Sequence, residues 1–169
     1  MFRVSLLACV ISIVLLTVSG PARPVFAEGD PVLLTLEITA QDGAASDVVT
    51  LTGTDLRALP TISFTTRTNW TSGAKTFTGV ALQTLLDRFD VTGGEIELIA
   101  INEYSVILPV DDPTNDGAML AYLMDGNPMT PRDKGPIWMV YNYDADRKYR
   151  TETVFSRSIW QLDRIIISR

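Results

Sequence analysis

Only one stretch of this sequence carries a clear helical period: Leu82, Leu85, Leu86 and Phe89 recur at i, i+3, i+4 and i+7 within Thr78 to Phe89. One amphipathic helix cannot enclose a core by itself, so most of the remaining apolar residues must be buried from strands. Leu33 to Thr39 alternates as a strand, Gln41-Asp42-Gly43 supplies turn chemistry, and Val48 to Leu51 follows as a second strand. Thr54 to Leu59 reads as one helical turn with Thr54 as N-cap and Pro60 as the stop. Ile62, Phe64 and Thr66 then share one strand face. Beyond the helix, Glu95 to Ala100 and Tyr104 to Pro109 flank Asn102-Glu103 as a hairpin. Ala118 to Met124 fits either period, and the Asp125-Gly126 pair behind it favours a strand. Pro136 to Tyr141 adds another strand, and Leu162 to Ile167 closes the sheet. The expected architecture is a single α+β domain, a mixed and mainly antiparallel sheet with few helices. Its core is expected to draw on Ile62, Phe64, Leu82, Leu85, Leu86, Ile99, Val140 and Ile166.

Met1 to Ala27 has the form of a secretory signal peptide: Arg3 in the n-region, an apolar run from Leu6 to Val18, and Val25-Phe26-Ala27 as the cleavage site. The run falls short of the roughly 20 residues that span a bilayer. Cleavage would leave residues 28–169 as one domain in the periplasm. The full chain carries a formal charge of −6, and losing Arg3 and Arg23 makes the remainder more acidic, which argues against a nucleic-acid partner. Basic residues concentrate after Arg132, where they either form a local anion site or pair with Asp133, Asp144, Asp146, Glu152 and Asp163 on a solvated face.

The sequence holds no histidine, and its one cysteine, Cys9, lies in the leader. Ser-His-Asp and Cys-His catalysis, histidine-ligated metals and disulfides are therefore excluded from the domain. No G-x-S-x-G elbow occurs. Asp112, Thr114, Asp116 and Gly117 match the first positions of a calcium loop, but position 12 is Leu123 rather than glutamate, so a solvated turn is the expectation. Asn69-Trp70-Thr71 matches the N-glycosylation pattern, which is too short to assign a role. More informative are Trp70 in a Thr/Ser/Asn-rich stretch, Tyr104 after Asn102-Glu103, and Tyr141-Asn142-Tyr143 after an apolar strand. Such residues either line a pocket for a flat heteroaromatic ring or pack at the core and its rim.

Six segments together resemble the molybdopterin-binding domain of the sulfite oxidase family: Leu51 to Pro60, Phe77 to Leu86, Asn102-Glu103-Tyr104 with Leu108-Pro109, Leu120 to Met129, Lys134 to Trp138, and Ser158 to Leu162. The family's metal-ligating cysteine is missing from Phe64 to Trp70, and Trp138 stands where its Gly-x-Pro-x-Arg pattern continues. Short exported chains of this kind resemble a cysteine-lacking branch that binds pterins in the periplasm and signals to inner-membrane enzymes of cyclic-di-GMP metabolism. The resemblance implies a non-catalytic sensor whose ligand is a pterin or molybdopterin, with no protein-bound molybdenum. Its partner would be the periplasmic domain of an inner-membrane signalling protein. The alternatives are a molybdopterin-dependent oxidoreductase and a structural or protein-interaction domain. By the family's motif positions, Asn69 and Trp70 fall at the loop that replaces the cysteine, with Trp70 stacking on the ring. Asn102 and Tyr104 fall at the hairpin, Lys134 and Tyr141 about the Gly-Pro strand, and Ser156, Arg157 and Trp160 at the final segment.

Overall fold

A computed structural model of the chain describes residues 29–39 and 47–169. The leader expected over Met1 to Ala27 and the turn expected at Gln41 to Gly43 lie outside them. The described elements run β1 (Val32–Thr39), β2 (Asp47–Thr52), α1 (Gly53–Ala58), β3 (Thr61–Arg67), β4 (Ala74–Ala81) and α2 (Leu82–Arg88). They continue as β5 (Glu95–Ala100), β6 (Ser105–Pro109), β7 (Ala118–Met124), β8 (Asn127–Pro128), β9 (Trp138–Tyr141), α3 (Glu152–Ser156) and β10 (Leu162–Ser168). Among the described residues, no helix is long and apolar enough to cross a membrane.

The strands form two sheets, in the orders β2-β1-β10-β5-β6 and β3-β4-β7-β8, with β9 also paired to β7. The pairing of β1 with β10 is parallel and the other described strand pairings are antiparallel. The mixed, mainly antiparallel α+β architecture is thus as expected, but divided between two sheets sharing one core. β10 does not close an edge; it lies centrally between β1 and β5. An all-apolar run such as Ile165-Ile166-Ile167 suits a strand with a neighbour on each side.

Local chemistry moves two helix starts. Thr52, not Thr54, caps α1: its hydroxyl accepts the Asp55 N–H at 3.2 Å while the Asp55 carboxylate accepts the Thr52 N–H at 2.8 Å. The helix ends before Pro60, whose ring disfavours helical backbone at Leu59. α2 begins at Leu82 rather than Thr78, because Thr78 to Ala81 belongs to β4. There Gly79 pairs with Ala121 at a register shift, and the backbones approach so closely that a Cβ on Gly79 would collide with the Leu120 carbonyl.

Leu82, Leu85 and Leu86 are buried as the helical stripe requires. Val140 is buried, and Phe64 packs against the core from a half-buried position. Ile62 is exposed, because β3 is an edge strand whose shared face becomes buried only at Thr66. Ile166 is only half-buried, and Ile99 is buried as expected but outside the main core cluster. Leu98 faces Ile165 across the β5–β10 ladder and both enter it, so the two-residue period turns their neighbours to the opposite face. Replacing Leu85 by Ala should cost about 2 to 5 kcal/mol in chemical denaturation; a loss under about 1 kcal/mol would place that helix face against solvent.

Candidate functional site

Trp138 opens β9 fully buried, its indole N–H donating to the Ser158 carbonyl at 3.1 Å. Around it stand Phe77, Trp70 and Trp160, edge-on, with ring centroids 5.3, 6.0 and 6.5 Å away. Trp70 also meets Phe155 at 6.0 Å and Trp160 at 5.8 Å. The loop between β3 and β4 presents Trp70 through its threonines: the Thr68 hydroxyl accepts the Trp70 N–H at 3.1 Å and bonds the Thr71 hydroxyl at 2.9 Å. Beside this cluster opens a cavity of about 610 Å³.

Three segments line it. The β3–β4 loop gives Asn69 and Trp70; the end of β5 and its hairpin give Ala100, Asn102 and Tyr104. The hairpin is set by Glu103 in left-handed backbone and by the Asn102 side-chain carbonyl accepting the Tyr104 N–H at 3.2 Å. The third wall is α3 together with the segment that joins it to β10. Glu152, Phe155 and Ser156 line the cavity from positions i, i+3 and i+4, one helical face, and Ser158, Ile159 and Trp160 continue the wall. Thr151 caps α3 by accepting the Val154 N–H.

Six of the nine residues expected at a pterin site therefore share this cavity: Asn69, Trp70, Asn102, Tyr104, Ser156 and Trp160. The other three do not line it. Lys134, in left-handed backbone after the Pro131–Asp133 turn, holds its ammonium 4.9 Å from the Trp160 ring centroid and 5.6 Å from that of Trp138. Tyr141 is fully buried between Tyr143 and Tyr149, its hydroxyl without a hydrogen-bond partner among the described residues. Burial pushes its pKa far above the ordinary phenol value. Arg157 follows Ser156 by one residue, so it points about 100° further round the helix. It is buried, donating to the Asp112 carboxylate at 2.9 Å and the Thr114 hydroxyl at 3.3 Å.

Ala100, Ser158 and Ile159 were not expected at the site, nor were Glu152 and Phe155. The signal for the last two was their helical spacing with Ser156 behind a Thr151 cap, hidden because five residues are too few for a visible period. Ser158 is buried in the wall, donating to the Val154 carbonyl at 2.9 Å and accepting the Tyr143 hydroxyl at 2.5 Å. Burial pushes the Tyr143 pKa up to about 12 against the opposing effect of its hydrogen bonds.

The loop from Asp111 to Gly117 is a tethered turn rather than a solvated one. Asp112 is taken by Arg157, and Asp116 by the Lys148 ammonium at 2.6 Å and the Tyr149 hydroxyl at 2.8 Å. The C-terminal cations thus reach acids elsewhere in the chain, Arg164 pairing with Glu103 at 2.7 Å as well as with neighbouring Asp163. Among the described residues, no cluster of three or more metal-ligating side chains occurs.

An α+β domain with an aromatic, amide- and hydroxyl-lined cavity is the class of protein that this fold and site define. The family model described as the oxidoreductase molybdopterin binding domain matches residues 30–143, and the chain belongs to that family. Its fold is similar to that of the sulfane dehydrogenase SoxCD from Paracoccus pantotrophus, with a TM-score of 0.56 and 17% identity. The match covers 80% of this chain and 38% of that one. No curated protein matches the sequence. The lining suits the flat ring of a molybdopterin better than the rest of it. A ring finds indole and phenyl surfaces with amides for its edge. The lining has no lysine or arginine for a phosphate, and the described residues contain no thiol for a metal.

Burial alone would raise the Asp112 pKa, but bonds from the Thr114 hydroxyl and N–H and from Arg157 outweigh it and hold the carboxyl below 3.8. A depressed folded-state pKa gives stability that is complete above the unfolded value and lost as pH falls through the folded one. The protein should therefore weaken below pH 3.8. Asp112→Asn should cost about 1.5 to 3 kcal/mol at neutral pH and flatten this acid limb; denaturation curves of equal acid slope in both proteins would refute the role of the pair.

Proposed function

We propose that this chain is an exported, non-catalytic binding protein for a pterin, acting in the periplasm as a sensor for an inner-membrane signalling partner such as an enzyme of cyclic-di-GMP metabolism. The observation that carries the reading is the cavity of about 610 Å³ that gathers Trp70, Trp160, Asn69, Asn102, Tyr104 and Ser156. A pterin is a flat ring with donors and acceptors along its edge, and it needs an aromatic face beside amides and hydroxyls. Asn69 makes no hydrogen bond within the described residues, and the Asn102 amide nitrogen and Tyr104 hydroxyl are likewise unengaged. Export rests on the leader-like Met1 to Ala27, the non-catalytic reading on the missing thiolate, and the sensor role on the resemblance to the exported cysteine-lacking branch.

The test is to purify the protein from the periplasm, sequence its N-terminus, and measure bound pterin by fluorescence and molybdenum by elemental analysis. A chain beginning at Glu28 that takes up pterin without stoichiometric molybdenum supports the proposal. Stoichiometric molybdenum with turnover of an electron donor would replace it with an oxidoreductase. In the folded protein, Trp70→Ala should weaken pterin binding by roughly 1 to 3 kcal/mol, the scale of an aromatic stack lost from a nucleobase. Unchanged affinity would make Trp70 a packing residue only.

A further inference from the structure

Glu152 is the one carboxylate in the cavity lining, and it lies beyond the residues matched by the family model. Several acids of the fold are already committed: Asp112 to Arg157, Asp116 to Lys148, Asp125 to Lys75 and Glu103 to Arg164. Glu152 has no such ion pair or side-chain hydrogen bond within the described residues. Its place one turn before Phe155 and Ser156 puts the carboxylate on the cavity face of α3, beside the Phe155 ring that packs edge-on to Trp70. The acid and the aromatic surfaces thus belong to one wall.

A carboxylate only accepts hydrogen bonds, and its two oxygens match two adjacent donors. The pyrimidine half of a pterin carries that pair, an exocyclic amino group next to a ring N–H. We infer that Glu152 reads this donor edge and makes the site selective for amino-pteridines over their dioxo counterparts, in which a carbonyl replaces the amino group. The inference rests on the pterin-binding reading and adds the residue that sets its specificity. A carbonyl facing Glu152 would set two acceptors against each other. A site built for a donor loses more against such an analogue than a purely apolar pocket does.

The experiment compares pterin with lumazine, its dioxo analogue of nearly the same shape, by fluorescence titration at one near-neutral pH. The proteins are the full mature chain and its Glu152→Gln and Glu152→Ala variants. Wild type should prefer pterin at least tenfold. Both variants should lose most of that preference through weaker pterin binding, with lumazine affinity unchanged or improved. Because Glu152 is exposed and makes no intramolecular side-chain bond, thermal melting of the variants should match wild type. Equal affinity of wild type for both compounds, or a preference that survives in both variants, overturns the role of Glu152 and leaves the pterin-binding reading standing. Binding of neither compound overturns both.

Discussion

The burial of Trp138 is the packing event on which the cavity depends. It opens β9, so its backbone belongs to the second sheet, while its indole N–H holds the Ser158 carbonyl and its backbone bridges Trp160. The same ring contacts Phe77 of β4 and Trp70 of the β3–β4 loop. Each aromatic pair is worth about 0.5 to 1.5 kcal/mol beyond the area it buries, so several around one fully buried residue fix three distant segments together. That hub backs the direct contact between Trp70 and Trp160, so the loop and the final segment share one buried support.

Polar contacts then decide which groups face the cavity. Arg157 and Ser156 are neighbours in sequence, yet the buried bond to Asp112 draws the cation away while Ser156 remains in the lining. Lys148 is committed to Asp116, and Lys134 lies against the rings of Trp138 and Trp160. The lining keeps indoles, amides and hydroxyls with one carboxylate and no cation. Such a surface favours a ring with hydrogen-bond donors and gives an anionic group no partner.

Legibility in the sequence followed the strength of local signals. The Leu82-Leu85-Leu86 stripe, the β5–β6 hairpin and β7 were readable, since each has a clear period or turn pair. The start of α2 was not, because Gly79 is held in β4 by its close approach to β7, a tertiary effect no local pattern encodes. The division into two sheets and the central place of β10 depend equally on long-range pairing. At the site, positions carried over from the family's motifs reached all three walls, but on the face of α3 they found Ser156 and missed Glu152 and Phe155. A five-residue helix leaves too little pattern to show that Ser156 and Arg157 point to different environments, or that Glu152 shares the side of Ser156.

The central claim is that a pterin occupies the cavity lined by Trp70 and Trp160 while Trp138 stays in the core. The chain has 3 tryptophans, so each indole N–H gives its own nuclear magnetic resonance signal. Pterin titrated into the labelled protein should move the Trp70 and Trp160 signals most. The Trp138 signal, bonded to the Ser158 carbonyl, should move least. A saturating titration that leaves the Trp70 and Trp160 signals in place, or displaces that of Trp138 alone, would contradict the account.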